Sequence, residues 1–283
     1  TICQALSQGG ANNFGSAFLP AAFQGTPLGS GGVAASEALI PFIRGKNPRH
    51  LQQLELEMLQ KMAATQNQQS GPDPQGAARL ASFELALRMQ NEAPLAQDLA
   101  SESAATHQLY GLNNPDTEDF GRQCLMARRF AERGVRFVQC NSNGWDHHSQ
   151  LEQGMTRMCR AVDQPIAGLL TDLKQRGMLD ETLVIWGGEF GRTPTAENAN
   201  GRDHNPHGFS VWMAGGGVRA GLTYGQTDDY GYYAVEDKVH FHDLHATILH
   251  LMGLDHQRLT FRYAGRDFRL TDVHGEVVHD LLA

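Results

Sequence analysis

LVIWGGEFGRTP, residues 183–194, decides how this chain is read. Leu183 to Trp186 form a short apolar run bounded by glycines, which is the pattern of a buried strand rather than a helix. The run ends at Gly187-Gly188, and a carboxylate, Glu189, follows with Arg192 close behind. Outward from it, VRFVQC (135–140) reads as an earlier strand and FSVWMAGGG (209–217) as a later one. Gln150–Arg176 between the first two reads as a long helix, interrupted at Pro165 and ended by Gly177. A strand, a helix and a further strand in that order predict parallel pairing in an α/β sheet.

Helical spacing predicts further helices on either side. Leu51, Leu54, Met58, Leu59 and Met62 share one face from His50 onward. QNQQSGPDP (66–74) reads as a solvated linker, followed by a helix over Ala77–Gln90 and helical structure continuing past Pro94 to Tyr110. Residues 119–133 form another helix ended by Gly134. LHATILHLMGL (244–254) is the last, with Asp243 placed to cap it. Residues 1–48, rich in Gly, Ala, Asn and Pro, read mostly as loop with short elements. The whole chain 1–283 is taken as a single domain, with a loop-rich and helical part over 1–118 and an α/β part over 119–283.

The 283 residues carry a net charge of −8, which makes nucleic acid and anionic membranes poor partners. No apolar run approaches the roughly 20 residues that span a bilayer. No secretory leader is visible, but the chain starts at Thr1 rather than Met, so this says little about export. The four cysteines, Cys3, Cys124, Cys140 and Cys159, form no C-x-x-C pair, and their spacing suits free thiols as well as two disulfides. Cys124 and Cys159 fall in helical patterns and read as structural. Oligomeric state is not legible.

Ligands of open α/β sheets bind beyond the carboxyl ends of the strands. Past VRFVQC stand Asp146, His147 and His148; past TLVIW stand Glu189 and Arg192; the loop toward FSVWMA holds Asp203, His204 and His207. Asp, Glu and His together are the donor set of a divalent ion, zinc or manganese by the imidazoles, calcium if carboxylates dominate. Asp146, His148, Glu189, Asp203 and His204 are therefore the candidate metal ligands, and Arg192 the candidate catalytic group, pinning Glu189 or clamping an anion. Each also has a plain structural reading. Glu189 suits a paired loop residue, Asp146 an Asx turn, and Asp203-His204 a turn ended by Pro206. His147 and His148 point to different sides, so at most one faces a metal. His245 and His250 read as polar-face residues, with His242 the better outsider for a metal. AGGGVRAG (214–221) resembles a dinucleotide fingerprint only loosely and opens no helix.

CLMARRFAERGVRFVQ, GWDHH, DLKQRGMLDETLVIWGGEFGRTP, GRDHNPHGF, WMAGGGVRAG, HDLHATILHLMGLDH and GRDFRLTDVHGEVV, with SFELALRMQ earlier, together resemble the bacterial domain-of-unknown-function 1501 family over nearly the whole chain. The resemblance implies kinship with the alkaline phosphatase, sulfatase and phosphoglycerate mutase superfamily. With it come a central, mostly parallel sheet flanked by helices, export to the periplasm, and one or two divalent ions at the sheet edge. It also implies hydrolysis of phosphate or sulfate esters, with a small anionic ester or a sulfated or phosphorylated glycan as partner. The alternative is a non-catalytic exported protein binding an anionic polysaccharide or surface partner. Asp146 and His148 match the superfamily's Asp-with-His pattern. Its usual Asp-His-Gly stands here as Glu189-Phe190-Gly191, which argues against a second metal ion or passes the histidine's role to His204. The resemblance also implies a first strand, with a metal-binding Asp and the nucleophile, upstream of Thr1. No sulfatase C-x-P-x-R or S-x-P-x-R motif occurs.

Overall fold

The computed structural model describes residues 2–3, 15–20, 23–29, 34–38 and 47–283. Most of the 1–48 loop reading lies outside them. In chain order the elements are β1 (Ile2–Cys3), α1 (Arg49–Ser70), α2 (Pro74–Gln97), α3 (Ala104–Leu109), α4 (Glu118–Glu132), β2 (Cys140–Asn141), α5 (Leu151–Gln175), β3 (Val184–Trp186), β4 (Gly191–Arg192), β5 (His204–Asn205), β6 (Trp212–Ala214), β7 (Gln226–Thr227), β8 (Ala234–Glu236), α6 (Phe241–Leu251), β9 (Thr260–Tyr263) and β10 (Arg266–Arg269). The fold is mixed α/β. The chain divides into two compact units, Thr1–Asn143 with Arg160–Leu169, and Gly144–Cys159 with Leu170–Ala283. No helix among the described residues is long and apolar enough to cross a membrane.

The first unit is helical. Its core gathers Leu99, Tyr110, Leu112, Cys124, Leu125, Met126 and Phe130. α4 supplies most of these, and it is buried around most of its circumference, Gln123 to Met126 being consecutive buried residues. α1 and α2 pack as a hairpin. The linker between them shrinks to 71–73, because Asp73 caps α2 by accepting the Gln75 N–H at 3.0 Å and Pro74 suits the first helical turn. The apolar face of α1 is not buried: Met58 is 64% exposed and Leu54 58%. Helical spacing identifies such a face but not what covers it. Within 135–140, only Cys140 joins a ladder among the described residues. β2 pairs with β1 in parallel, Ile2 opposite Cys140 and Cys3 opposite Asn141.

The second unit holds small antiparallel pairs: β3 with β6, β4 with β5, β7 with β8 and β9 with β10. The expected large parallel sheet is absent among the described residues. The reason lies in the connection between β3 and β6. Parallel neighbours need a crossover, usually a helix. Residues 187–211 contain no helix, only the β4–β5 pair and a bridge between Glu197 and Gly201, so the chain returns along β3 in the opposite sense and sets Val184 opposite Ala214 and Trp186 opposite Trp212. α5 runs unbroken through Pro165, which is fully buried. α6 begins three residues earlier than expected. His240 is its cap, and Asp243, inside the first turn, accepts the His240 N–H at 3.0 Å. The other oxygen of Asp243 accepts the Glu276 N–H at 2.9 Å, tying the C-terminal segment to the helix.

Candidate functional site

Two backbone arrangements assemble the site, both in the second unit. The first is the β4–β5 ladder, which sets Arg192 directly opposite His204. Residues opposite one another in an antiparallel pair project to the same face, so guanidinium and imidazole stand side by side. The second is the stitching of residues 147–151 onto 197–202. The Arg202 N–H donates to the His147 carbonyl at 2.9 Å, the Leu151 N–H to that of Asn200 at 3.3 Å, and the Gln150 N–H to the Asn200 side chain at 2.9 Å. This contact is close enough that a side chain at Gly201 would stand 2.0 Å from the His148 carbonyl oxygen. Only glycine fits there.

The stitching carries Asp146 and His148 to the Arg192–His204 pair. A single carboxylate oxygen, Asp146 Oδ1, meets Arg192 Nη1 at 2.6 Å, His148 Nε2 at 2.9 Å and His204 Nε2 at 3.0 Å. The two Nε2 atoms are 3.2 Å apart. On its other side, His148 Nδ1 meets the Glu197 carboxylate at 2.5 Å. The His204 ring also lies against Phe190, centroids 4.2 Å apart, and the Arg192 guanidinium sits 5.5 Å from the centroid of the same ring.

The charges follow from these contacts. Hydrogen bonding from Arg192, opposed by partial burial and reinforced by His204, lowers the Asp146 carboxyl to about 2. Hydrogen bonding to Glu197 raises the His148 imidazole above its ordinary value, and the Asp146 charge adds to this. His147 behaves oppositely: burial, then the charges of Arg157 and Arg192, lower it. Its ring lies in the space left by Gly154 of α5, where a Cβ would come within 2.3 Å of it. Thus His148 faces the acids and His147 is packed into the unit, as the divergent directions of neighbouring side chains require.

Among the described residues, two groups of three His, Cys, Asp or Glu side chains bring donor atoms within 4.8 Å of one another: Asp146, His148 and His204, and His148, Glu197 and Asp203. Four of the five residues singled out as ligands, Asp146, His148, Asp203 and His204, therefore fall in these groups. Glu189 does not; it lies exposed on a bend after β3, in neither group. Glu197 was not among the candidate ligands. An acid seven positions before His204 in the same loop was the available signal. His242 stacks on His240 at 5.1 Å between centroids and joins neither group.

The donor set fits a small divalent ion. Asp146 Oδ1 and the two Nε2 atoms form a triangle with edges of 2.9, 3.0 and 3.2 Å. Around a tetrahedral ion with bonds of about 2.0–2.1 Å, neighbouring ligands stand about 3.3 Å apart. Glu197 on the far nitrogen of His148 matches the carboxylate that orients a metal-bound imidazole.

Compared with known families, residues 2–282 match the model described as "Protein of unknown function (DUF1501)". The chain belongs to the DUF1501 family. No curated protein and no solved structure matches it. In this DUF1501 chain the segments that build the site, GWDHH and GRDHNPHGF, lie inside the matched span.

Proposed function

We propose that this DUF1501 protein is a metal-dependent hydrolase of phosphate or sulfate esters, of the alkaline phosphatase and sulfatase superfamily, acting outside the cytoplasm. The observation that carries the reading is the convergence of His148 and His204 on one oxygen of Asp146, with Glu197 behind His148. Asp146, His148 and His204 hold a divalent ion, zinc or manganese by their chemistry. When bound, that ion supplies Lewis acidity toward an ester oxygen and lowers the pKa of a nucleophilic hydroxyl or water. Glu197 fixes the tautomer and angle of His148. Arg192 lies beside the ligands, engages Asp146 through Nη1 and offers its further N–H groups to an anionic ester. Asp203 holds the loop through its backbone, accepting from Thr193 N–H at 3.0 Å and donating to Thr193 Oγ1 at 3.1 Å.

The test is titration of metal-stripped protein with zinc and manganese by calorimetry, followed by assays on aryl phosphates and aryl sulfates. Stoichiometric binding lost on His148→Ala and His204→Ala, with hydrolysis that depends on the added metal, supports the reading. No metal binding and no hydrolysis sinks it.

One observation favours a second reading, binding of an anionic polysaccharide without catalysis. Tyr230 is 80% and Tyr233 52% exposed; Tyr232 stacks on His207 with centroids 5.7 Å apart, and Tyr233 lies tilted against the same ring at 5.2 Å. Exposed aromatic faces suit sugar rings. Retention on sulfated glycan resin that persists after metal removal favours this reading over the hydrolase.

A further inference from the structure

The first unit contains three of the four cysteines, and two of them come from α4 and β2. Cys124, on α4, is buried at 2% exposure. Cys140, in β2, is half-buried and packs against the same core. Its Sγ donates to the carbonyl of Gln123, the residue just before Cys124, at 3.5 Å, which seats β2 against the turn of α4 that carries Cys124. Cys3 stands one place along the neighbouring strand, opposite Asn141. Cys159 belongs to the other unit.

We propose that Cys124 and Cys140 form a disulfide crosslink between α4 and β2, made by exchange with a small-molecule disulfide, and that Cys140 is the entry point. Position assigns the order. Cys140 is the thiol that solvent reaches, whereas contact with the Cys140 thiol and burial both push Cys124 up and keep it protonated. In the first step the Cys140 thiolate attacks the external disulfide R–S–S–R. A Cys140–S–S–R bond forms, the R–S–S–R bond breaks, and RS⁻ leaves. In the second step Cys124 gives up its proton and its sulfur attacks Cys140 Sγ. The Cys124–Cys140 bond forms, the bond to R breaks, and a second RS⁻ leaves. The two protein thiols are oxidised, and the external disulfide takes both electrons and both protons as two RSH. The crosslink closes a short loop and restricts the unfolded chain.

The experiment exposes reduced full-length protein to oxidised glutathione, quenches with acid, blocks free thiols with iodoacetamide and digests with trypsin without reduction. The expected product joins peptide 123–128 to peptide 137–157. The midpoint of thermal unfolding rises by roughly 5 °C, reductant reverses the rise, and Cys140→Ser abolishes it. Cys124→Ala, which leaves the core apolar, is expected to trap Cys140 as the glutathione adduct. The proposal is overturned if wild-type Cys124 is recovered blocked with Cys140 still carrying glutathione, or if Cys140 is joined to Cys3 or Cys159.

Discussion

The two units use the same charged groups in opposite ways. In the first, Glu102 is 9% exposed and accepts from both Arg128, 2% exposed, at 2.8 Å and Arg129. Arg128 also reaches Glu132 at 2.7 Å, and Arg129 donates to the Ala96 and Leu95 carbonyls at 2.8 and 2.6 Å. In the second, Asp146 is 45% exposed, and Arg192, His148 and His204 converge on it from the solvent side. A buried ion pair is committed: each guanidinium faces a carboxylate of the chain, and no ligand can take its place without a desolvation cost. An open cluster is held less tightly, because water stands in for any partner that leaves. Arginine and carboxylate side chains therefore indicate function only together with their exposure.

The largest expected effect falls in the buried network. Glu102→Gln removes the carboxylate that Arg128 and Arg129 share, leaving Arg129 without its charge partner and Arg128 with Glu132 alone, and is expected to cost about 3–5 kcal/mol in urea unfolding. Asp146→Asn, the matching change in the open cluster, is expected to change stability by no more than about 1 kcal/mol. Equal losses at the two positions would break the contrast between the units.

Next comes a change that acts on ligand affinity instead of stability. Glu197→Gln keeps a hydrogen-bond acceptor near His148 Nδ1 but removes the charge that orients the ring. Zinc affinity measured by calorimetry is expected to fall about 10–100-fold with the unfolding midpoint nearly unchanged. A loss of fold without a specific loss of affinity would make Glu197 a structural residue like Glu102.

How much of this was legible in the sequence differs between the fold and the site. TLVIW and FSVWMA announced strands, and Gly134 and Gly177 marked helix ends, because these signals are local. Pairing is not local. Val184 meets Ala214 because a helix-free loop doubles back between them, and nothing in either strand encodes that choice. The α1 face was legible as a face, yet Leu54 and Met58 stay exposed because periodicity does not supply a partner. At the site, Asp146, His148, Asp203 and His204 were legible as donors in two histidine-rich loops. The bonds that bring those loops together, from Arg202 to His147 and from Gln150 to Asn200, come largely from the backbone or from turn-forming residues. Glu189 looked equal to the others because distance from a strand end says nothing about direction.

The contrast sharpens with acid. Burial alone would raise the Glu102 carboxyl, but hydrogen bonds and charge from Arg128 and Arg129 outweigh it and hold it below the unfolded value of 4.5. A depressed carboxyl contributes stability that is present above the unfolded value and is lost as pH falls through the folded one. The unfolding midpoint of the wild type is therefore expected to decline below about pH 4.5, and part of that slope should vanish in Glu102→Gln. An identical slope in both proteins would assign the acid sensitivity elsewhere.

The effect on stability at Arg192 is small as well. Its bond to Asp146 at 2.6 Å is short, but the pair is 26% and 45% exposed, so Arg192→Ala is expected to cost less than about 1 kcal/mol. Its functional consequence has a definite sign. Arg192 competes with any cation for Asp146 Oδ1 and repels it through its own charge, so the alanine variant should bind zinc at least as tightly as the wild type. The same guanidinium is the one placed to meet an anionic ester, so hydrolysis of aryl phosphate or sulfate should fall while metal binding holds. A variant that lost metal and activity together would show that Arg192 builds the site, as Arg128 builds the core of the first unit, and would erase the distinction between the two clusters.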